Sequence, residues 1–276
     1  LTYKVVSMSH DPYQILPNPF SLDGYSVIIT GAGGAIGGAT AHVLAQAGAN
    51  VVVSDLNLDA AEKVAADVQK ATGRETLAMR TDVTSEAEQQ ALIDATLKKF
   101  GKITALINNV GWGEYTPLWD VSMDYMMKSY LLNTVSAYNL SKLCMPHLRK
   151  QDNASITVSG SAVGTTPSPE FISYSNAKAA LLHMSKSIAA MSGPEVRCNA
   201  IVIGSVDNGE ATLKAGYDPA MLKRLSDAMV LKRRGAPFDI AYAFNYLLSP
   251  AASWITGIHL HVDGGGSYKS KMPSSD

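Results

Sequence analysis

Tyr174 and Lys178 stand four residues apart in the segment SYSNAKAALLHMSKSIAA, which begins at Ser173. At helical period that spacing places both side chains on one face. A phenol ionises near pH 10 and is a poor base at neutrality. An adjacent ammonium favours the phenolate and lowers that value. The pair therefore suits proton transfer to or from an alcohol oxygen. Upstream, Ser161 follows the strand-like run SITVSG, and its hydroxyl can hold the same oxygen. Ser159 competes for that task, and an ordinary turn serine is the bland alternative.

A second chemical signal lies in IITGAGGAIGG, Ile28 to Gly38. A glycine-rich turn between a strand and a helix points backbone N–H groups at an anion, and the helix N-terminus adds partial positive charge. Gly31 permits the tight turn and Gly37 permits close helix–sheet packing. The spacing, Gly31-x-x-x-Ala35-x-Gly37, is not the G-x-G-x-x-G fingerprint. A flexible turn is the competing reading until the surroundings are added. The next strand-like run ends in Asp55, whose carboxylate can accept from both hydroxyls of an adenosine ribose and would repel a 2′-phosphate. No Lys or Arg stands in the glycine loop or just after Asp55, so the residues favour NAD over NADP. The alternative for Asp55 is a cap on the helix beginning near Leu58. Asp82 and Val83, after the third strand, are placed to meet an adenine, with Thr84 or Ser85 free to cap the next helix.

These groups need a scaffold that brings distant segments together. Seven strand-like runs are visible: YSVIIT, NVVVS, TLAMR, ITALIN, SITVSG, VRCNAIV and GIHLHV. Helical periodicity falls near 37–48, 58–72, 85–100, 122–150, 173–192 and 218–229. Alternating strands and helices imply parallel strands with crossover connections. Runs apolar on consecutive residues fit strands covered on both faces. The pattern predicts one α/β domain of Rossmann-like, doubly wound type, with a seven-stranded parallel sheet and helices on both faces. A closed barrel needs about eight strand–helix units. The domain is expected over 25–268. An extended, proline-marked arm precedes it at 1–24, a substrate loop lies near 205–235, and a tail occupies 269–276.

Of the 276 residues, 46% are hydrophobic and only 17% charged, and the formal net charge is −1. That balance favours extensive burial, including subunit contacts, and gives no basic stripe for nucleic acid. No apolar stretch approaches the roughly 20 residues that span a bilayer. The N-terminus lacks a basic-then-apolar secretory pattern, and Cys144 and Cys198 read as buried free thiols, so a cytoplasmic enzyme is expected. The six histidines show no metal-ligand grouping, and no metal site is expected. His259 and His261 alternate on the last strand as packing or contact residues.

Taken together, TGAGGAIG (from Thr30), Asp55, NNVG (Asn108 to Gly111), Asn133, Ser161 and YSNAK (from Tyr174) resemble the short-chain dehydrogenase/reductase family in order and spacing. The resemblance runs from about Leu22 to Gly266. It implies Tyr174 as catalytic acid–base. Lys178 would lower its pKa and bind the nicotinamide ribose, Ser161 would orient the substrate oxygen, and Asn133 would support a proton-relay water. Cofactor contacts are implied at Gly31, Ile36, Gly37, Asp55, Leu56, Asp82, Val83, Asn109 and Val206, with Tyr174 and Lys178. It also implies a homotetramer in which helices carrying YLLNTVSAYNLSKL and YSNAKAALLHMSKSIAA pair between subunits.

Three positions depart from the family pattern. Ala35 replaces a glycine, Val110 replaces an alanine beside the nicotinamide, and Ile203 stands where the family has proline before glycine. Within the family, VVVSDLNLDAA, TDVTSEAE and SPAASWITG are most similar to bacterial 7α-hydroxysteroid dehydrogenases. That suggests a secondary alcohol on a sterol-like substrate, with Trp112 and Tyr115 near the cleft. Tyr217, Met221, Leu222, Leu225 and Met229 form an apolar face that either covers the substrate or docks on its own domain. A 3-oxoacyl-carrier reductase is the rival activity, disfavoured by Asp55. A non-catalytic NAD-sensing regulator is the rival class, disfavoured by the complete Ser161, Tyr174 and Lys178 set.

Overall fold

The structure is a computed structural model that describes residues 17–116, 118–209 and 218–268. The strands are β1 (Ser26–Thr30), β2 (Asn50–Asp55), β3 (Thr76–Arg80), β4 (Ala105–Asn108), β5 (Ala154–Ser161), β6 (Val196–Ile203) and β7 (His259–Val262). They form one sheet in the order β3-β2-β1-β4-β5-β6-β7, parallel at every pairing. The order reverses between β1 and β4, which is where such sheets open a crevice at their carboxyl ends.

Successive residues of each central strand feed opposite cores, as the pleat requires. Val27 and Ile29 pack with Leu44 of α1 (Ala35–Gln46) and Val68 of α2 (Leu58–Thr72). Ile28, between them, packs with Leu92 of α3 (Glu86–Phe100), Leu140 of α5 (Ser136–Leu148) and Leu181 of α6 (Ile172–Ser192). Both faces are thus dry, which is why these strands read as unbroken apolar runs. α2 and α3 are bracketed by local signals. Asn57 and Ser85 cap their N-termini through side-chain oxygens, and Gly73 and Gly101 end them in the left-handed conformation.

Three expectations need correction. The helix expected over 122–150 is broken into α4 (Met123–Tyr130), a π-helical segment (Leu131–Val135) and α5. Asn133 lies in that segment, and its buried side chain bonds to Trp112 on another segment and back to Ser129 of α4. A helix that went unanticipated, α8 (Pro237–Leu248), follows α7 (Pro219–Ala228). Pro237 opens it at a position where no N–H is needed, and Ile240, Phe244, Leu247 and Leu248 complete the core around β1. The expected arm also ends earlier than 24. Leu22 is fully buried and its N–H donates to the Ala47 carbonyl at 2.8 Å. The rest of the arm, at 1–16, and the tail at 269–276 lie outside the described residues.

Candidate active site

The glycine turn leaves β1 with Gly31 at φ +64°, a conformation other residues adopt only with strain. A methyl on Gly37 would lie 2.4 Å from the Gly31 carbonyl oxygen and 2.6 Å from the Ala32 Cα. Only hydrogen fits there, so the first turn of α1 is drawn tight against the loop. The N-cap, Gly34, offers no side-chain acceptor, and the first turn carries no acidic residue. The leading amides of α1 are therefore left to an external anion.

That turn forms one wall of a cleft of about 580 Å³. All the expected cofactor residues of the glycine turn and of β2 to β4 line it: Gly31, Ile36, Gly37, Asp55, Leu56, Asp82, Val83 and Asn109. Asp55 does not cap α2, a task taken by Asn57. Its carboxylate accepts instead from Gly33 N–H at 2.9 Å and Asn57 N–H at 3.0 Å, which ties β2 to the glycine loop. Asp82 accepts from the Thr84 hydroxyl and amide, and these hydrogen bonds hold its carboxyl below the usual range. Asn109 is the seam of the site. Its amide donates to the carbonyls of Thr30 and Gly31, and its Oδ1 accepts from the Ser159 hydroxyl at 3.0 Å.

The last bond decides between the two serines. Ser159 is committed to Asn109, and its carbonyl accepts from Lys178 Nζ at 2.9 Å. Ser161, the last residue of β5, is the one whose side chain reaches the Tyr174 phenol. Tyr174 and Lys178 sit one turn apart near the start of α6, with the ammonium 5.6 Å from the ring centroid. Lys178 is 1% exposed, and burial pushes it down to about 7.

The Tyr174 pKa, expected to be lowered, is raised instead. Burial pushes the phenol up, and the Ser161 hydrogen bond opposes that rise. The ammonium lies over the ring and bonds to the carbonyls of Ser159 and Val110.

Two glycines shape this cluster, Gly111 from the NNVG motif and Gly113, which sequence reasoning passed over. A methyl on Gly111 would fall 2.5 Å from Lys178 Nζ, and one on Gly113 would fall 2.4 Å from the Tyr174 Cβ. The signal was present as a Gly-x-Gly directly after NNV. Between them, Trp112 is held by Asn133. The asparagine Oδ1 accepts from Trp112 N–H at 3.0 Å, and its Nδ2 donates to the Trp112 carbonyl at 2.8 Å and the Ser129 carbonyl at 2.9 Å. The π-helical segment that displaces Asn133 from helical register is a common feature of functional sites.

The sequence matches the family described as Enoyl-(Acyl carrier protein) reductase over residues 31–267. It is 39% identical to the 7α-hydroxysteroid dehydrogenase of Escherichia coli K12 over 246 residues, covering 89% of this chain and 95% of that one. It is 34% identical to a 4-formylbenzenesulfonate dehydrogenase of Comamonas testosteroni, covering 89% and 98% of the two chains. The fold superposes on a 7α-hydroxysteroid dehydrogenase complexed with NADH and 7-oxo glycochenodeoxycholic acid with a TM-score of 0.87, at 37% identity and covering 92% and 98%. The chain belongs to the short-chain dehydrogenase/reductase family.

In this short-chain dehydrogenase the three departures are accommodated differently. Ala35 is the first residue of α1, is exposed and lines the cleft. Val110 packs toward the glycine turn, 3.2 Å from where a methyl on Gly31 would stand. Ile203 ends β6 in register with Ser161 of β5 and Val262 of β7, so the sheet continues through the position where the family has proline.

Val206 is not among the cleft-lining residues. It is buried in the core beside Ile240, and Asn208 takes the place in the cleft wall. Trp112 lines the cleft with its ring half-exposed, edge-on to Tyr125 at 6.1 Å, while Tyr115 packs edge-on against Phe171. On the apolar face of α7 and the turn after it, Met229 is buried and Met221 is exposed. Tyr217, the remaining end of that face, lies outside the described residues. His259 meets the Leu182 carbonyl at 2.9 Å, and the described residues hold no cluster of metal-ligating side chains. No helix among them is long and apolar enough to cross a membrane.

Proposed function

We propose that this oxidoreductase interconverts a secondary alcohol and a ketone with NAD as its cofactor, on a hydroxysteroid or a similar apolar substrate. The observation that carries the cofactor choice is Asp55. Its carboxylate lines the cleft where an adenosine ribose would sit, and no Lys or Arg is among the described residues lining that cleft. A 2′-phosphate would meet negative charge with nothing to neutralise it. The sterol-like substrate rests on likeness to the E. coli relative and on the aromatic wall begun by Trp112.

A nicotinamide supplies the hydride acceptor in alcohol oxidation and the donor in ketone reduction. The chain's own residues handle position and the proton. Ser161 holds the substrate oxygen. Tyr174 takes the hydroxyl proton during oxidation and returns it during reduction. Lys178, beneath the ring, steadies the negative charge that appears on the phenol. Asn133 fixes the Trp112 backbone, and with it the loop bearing Gly111 and Gly113.

A homotetramer fits the surface. Met123, Met127, Leu131, Val135 and Tyr138 form an exposed apolar stripe along α4, the π-helical segment and α5. A stripe of that length marks a contact surface rather than a solvated face.

The cofactor assignment is tested by steady-state rates with both dinucleotides. NAD should exceed NADP by at least about tenfold in kcat/KM, which corresponds to roughly 1.4 kcal/mol. Replacing Asp55 with alanine should narrow the gap. Equal efficiency with the two cofactors in the unmodified enzyme would overturn the assignment.

A further inference from the structure

The turn that carries the chain from β6 to the cleft wall is engaged by the side chain of Arg234. Ile203 is the register neighbour of Ser161, so residues 204–208 leave the sheet at its catalytic edge. Asn208 then enters the cleft wall. Between these points Arg234 engages three successive residues. Its Nε donates to Ser205 Oγ at 3.2 Å, one terminal nitrogen donates to the Val206 carbonyl, and the other lies 3.6 Å from Asp207 Oδ1. The Arg234 side chain is only 11% exposed. Backbone bonds reinforce the clasp, since Gly235 N–H donates to the Ser205 carbonyl and Asp207 N–H to the Gly235 carbonyl.

Only a guanidinium can do this. Its rigid fork offers donors in three directions, whereas a lysine ammonium is a single flexible point charge. The adjacent Arg233 serves a different purpose, pairing with Asp239 at the start of α8. The clasp also sits where it is needed. Ile203 leaves the turn without the fixed backbone angle that a proline would give.

We propose that Arg234 is a positioning residue for the nicotinamide end of the cofactor cleft, holding Ser205, Val206 and Asp207 so that the β6 turn and Asn208 keep their places beside the reacting groups. This rests on the NAD reading above. It predicts a loss confined to the half of the cofactor that the turn borders, because the adenosine half is held by Gly31, Asp55 and Asp82 on the far side of the sheet's switch point.

The test titrates NADH and ADP-ribose, which lacks the nicotinamide, into the unmodified enzyme and into Arg234→Met, Arg234→Lys and Ser205→Ala, with calorimetry as readout. Arg234→Met should weaken NADH by about tenfold while ADP-ribose stays within about twofold. Arg234→Lys should show the same selective loss at smaller size. Ser205→Ala removes only the Nε acceptor and should shift NADH alone. It carries the test if Arg234→Met fails to fold. Equal losses for both ligands would mean a general defect of the fold and would overturn the proposal, as would unchanged NADH affinity or full affinity in Arg234→Lys. If the unmodified enzyme binds neither ligand, the NAD reading itself fails. If it binds both and only the pattern among variants disagrees, the role of Arg234 alone is refuted.

Discussion

Gly113 lies so close to Tyr174 that a methyl on its Cα would stand 2.4 Å from the tyrosine Cβ and 2.6 Å from its Cγ. The loop after β4 therefore forms the mould in which the phenol is set. Gly113→Ala must push either the loop or the ring. Turnover should fall on the order of 10²-fold, the penalty for misplacing a reacting group by about an ångström. NADH affinity should hold, because Gly113 does not line the cleft. Turnover near that of the unmodified enzyme would show that the contact relaxes without moving the phenol.

Tyr174→Phe removes the hydroxyl and keeps the ring over Lys178. Cofactor affinity and thermal stability should be nearly unchanged, and turnover should fall by the 10²–10⁴-fold expected for loss of a general acid–base. A verified substrate turned over at close to the original rate would place the proton transfer on another group.

Lys178 gives a pH signature in stability. Its pKa is near 10.5 when free and about 7 in the folded chain. Between those values the unfolded chain binds the proton and the folded chain does not, so stability rises with pH across the window and is flat below it. The folding constant should gain about tenfold per pH unit from this group. Urea midpoints for the unmodified protein and Lys178→Met should converge or cross in favour of the lysine between about pH 7 and 10. The Tyr174 contribution, of opposite sign at higher pH, is common to both proteins. A difference that stays constant across the window would contradict the burial argument.

The exposed stripe predicts assembly. Light scattering at micromolar concentration should give a mass near four times 29.3 kDa. Leu131→Glu with Val135→Lys should shift it toward smaller species. A monomer in the unmodified protein would end this reading.

What the sequence disclosed follows from which signals are local. The strands were legible because both faces are buried, and so were α2 and α3, bracketed by Asn57, Gly73, Ser85 and Gly101. The glycine turn, Asp55, Ser161, Tyr174 and Lys178 were legible as an ordered set. The interruption at Leu131–Val135 was not, because what accompanies it is tertiary: Asn133 reaches Trp112, a residue on another segment. Gly113 was missed for the same reason, and Gly111, quoted within NNVG, was given no role of its own, since a glycine's neighbours are invisible until the fold brings them. The direction of the Tyr174 shift was misjudged because spacing reveals the charge nearby but not the water excluded. The α8 helix was hidden behind Pro237 although its apolar spacing was there to read.

The strand order separates two tasks in space. Asp55 stands on β2 and Ser161 on β5, with β1 and β4 between them. The residue proposed to choose the dinucleotide and the one proposed to hold the substrate oxygen thus stand on opposite halves of one sheet, with Asn109 bonded to the glycine turn on one side and to Ser159 on the other. On the proposed roles, a substitution at Asp55 that alters the choice of dinucleotide acts with two strands between it and Ser161, so cofactor preference and substrate preference are separately adjustable.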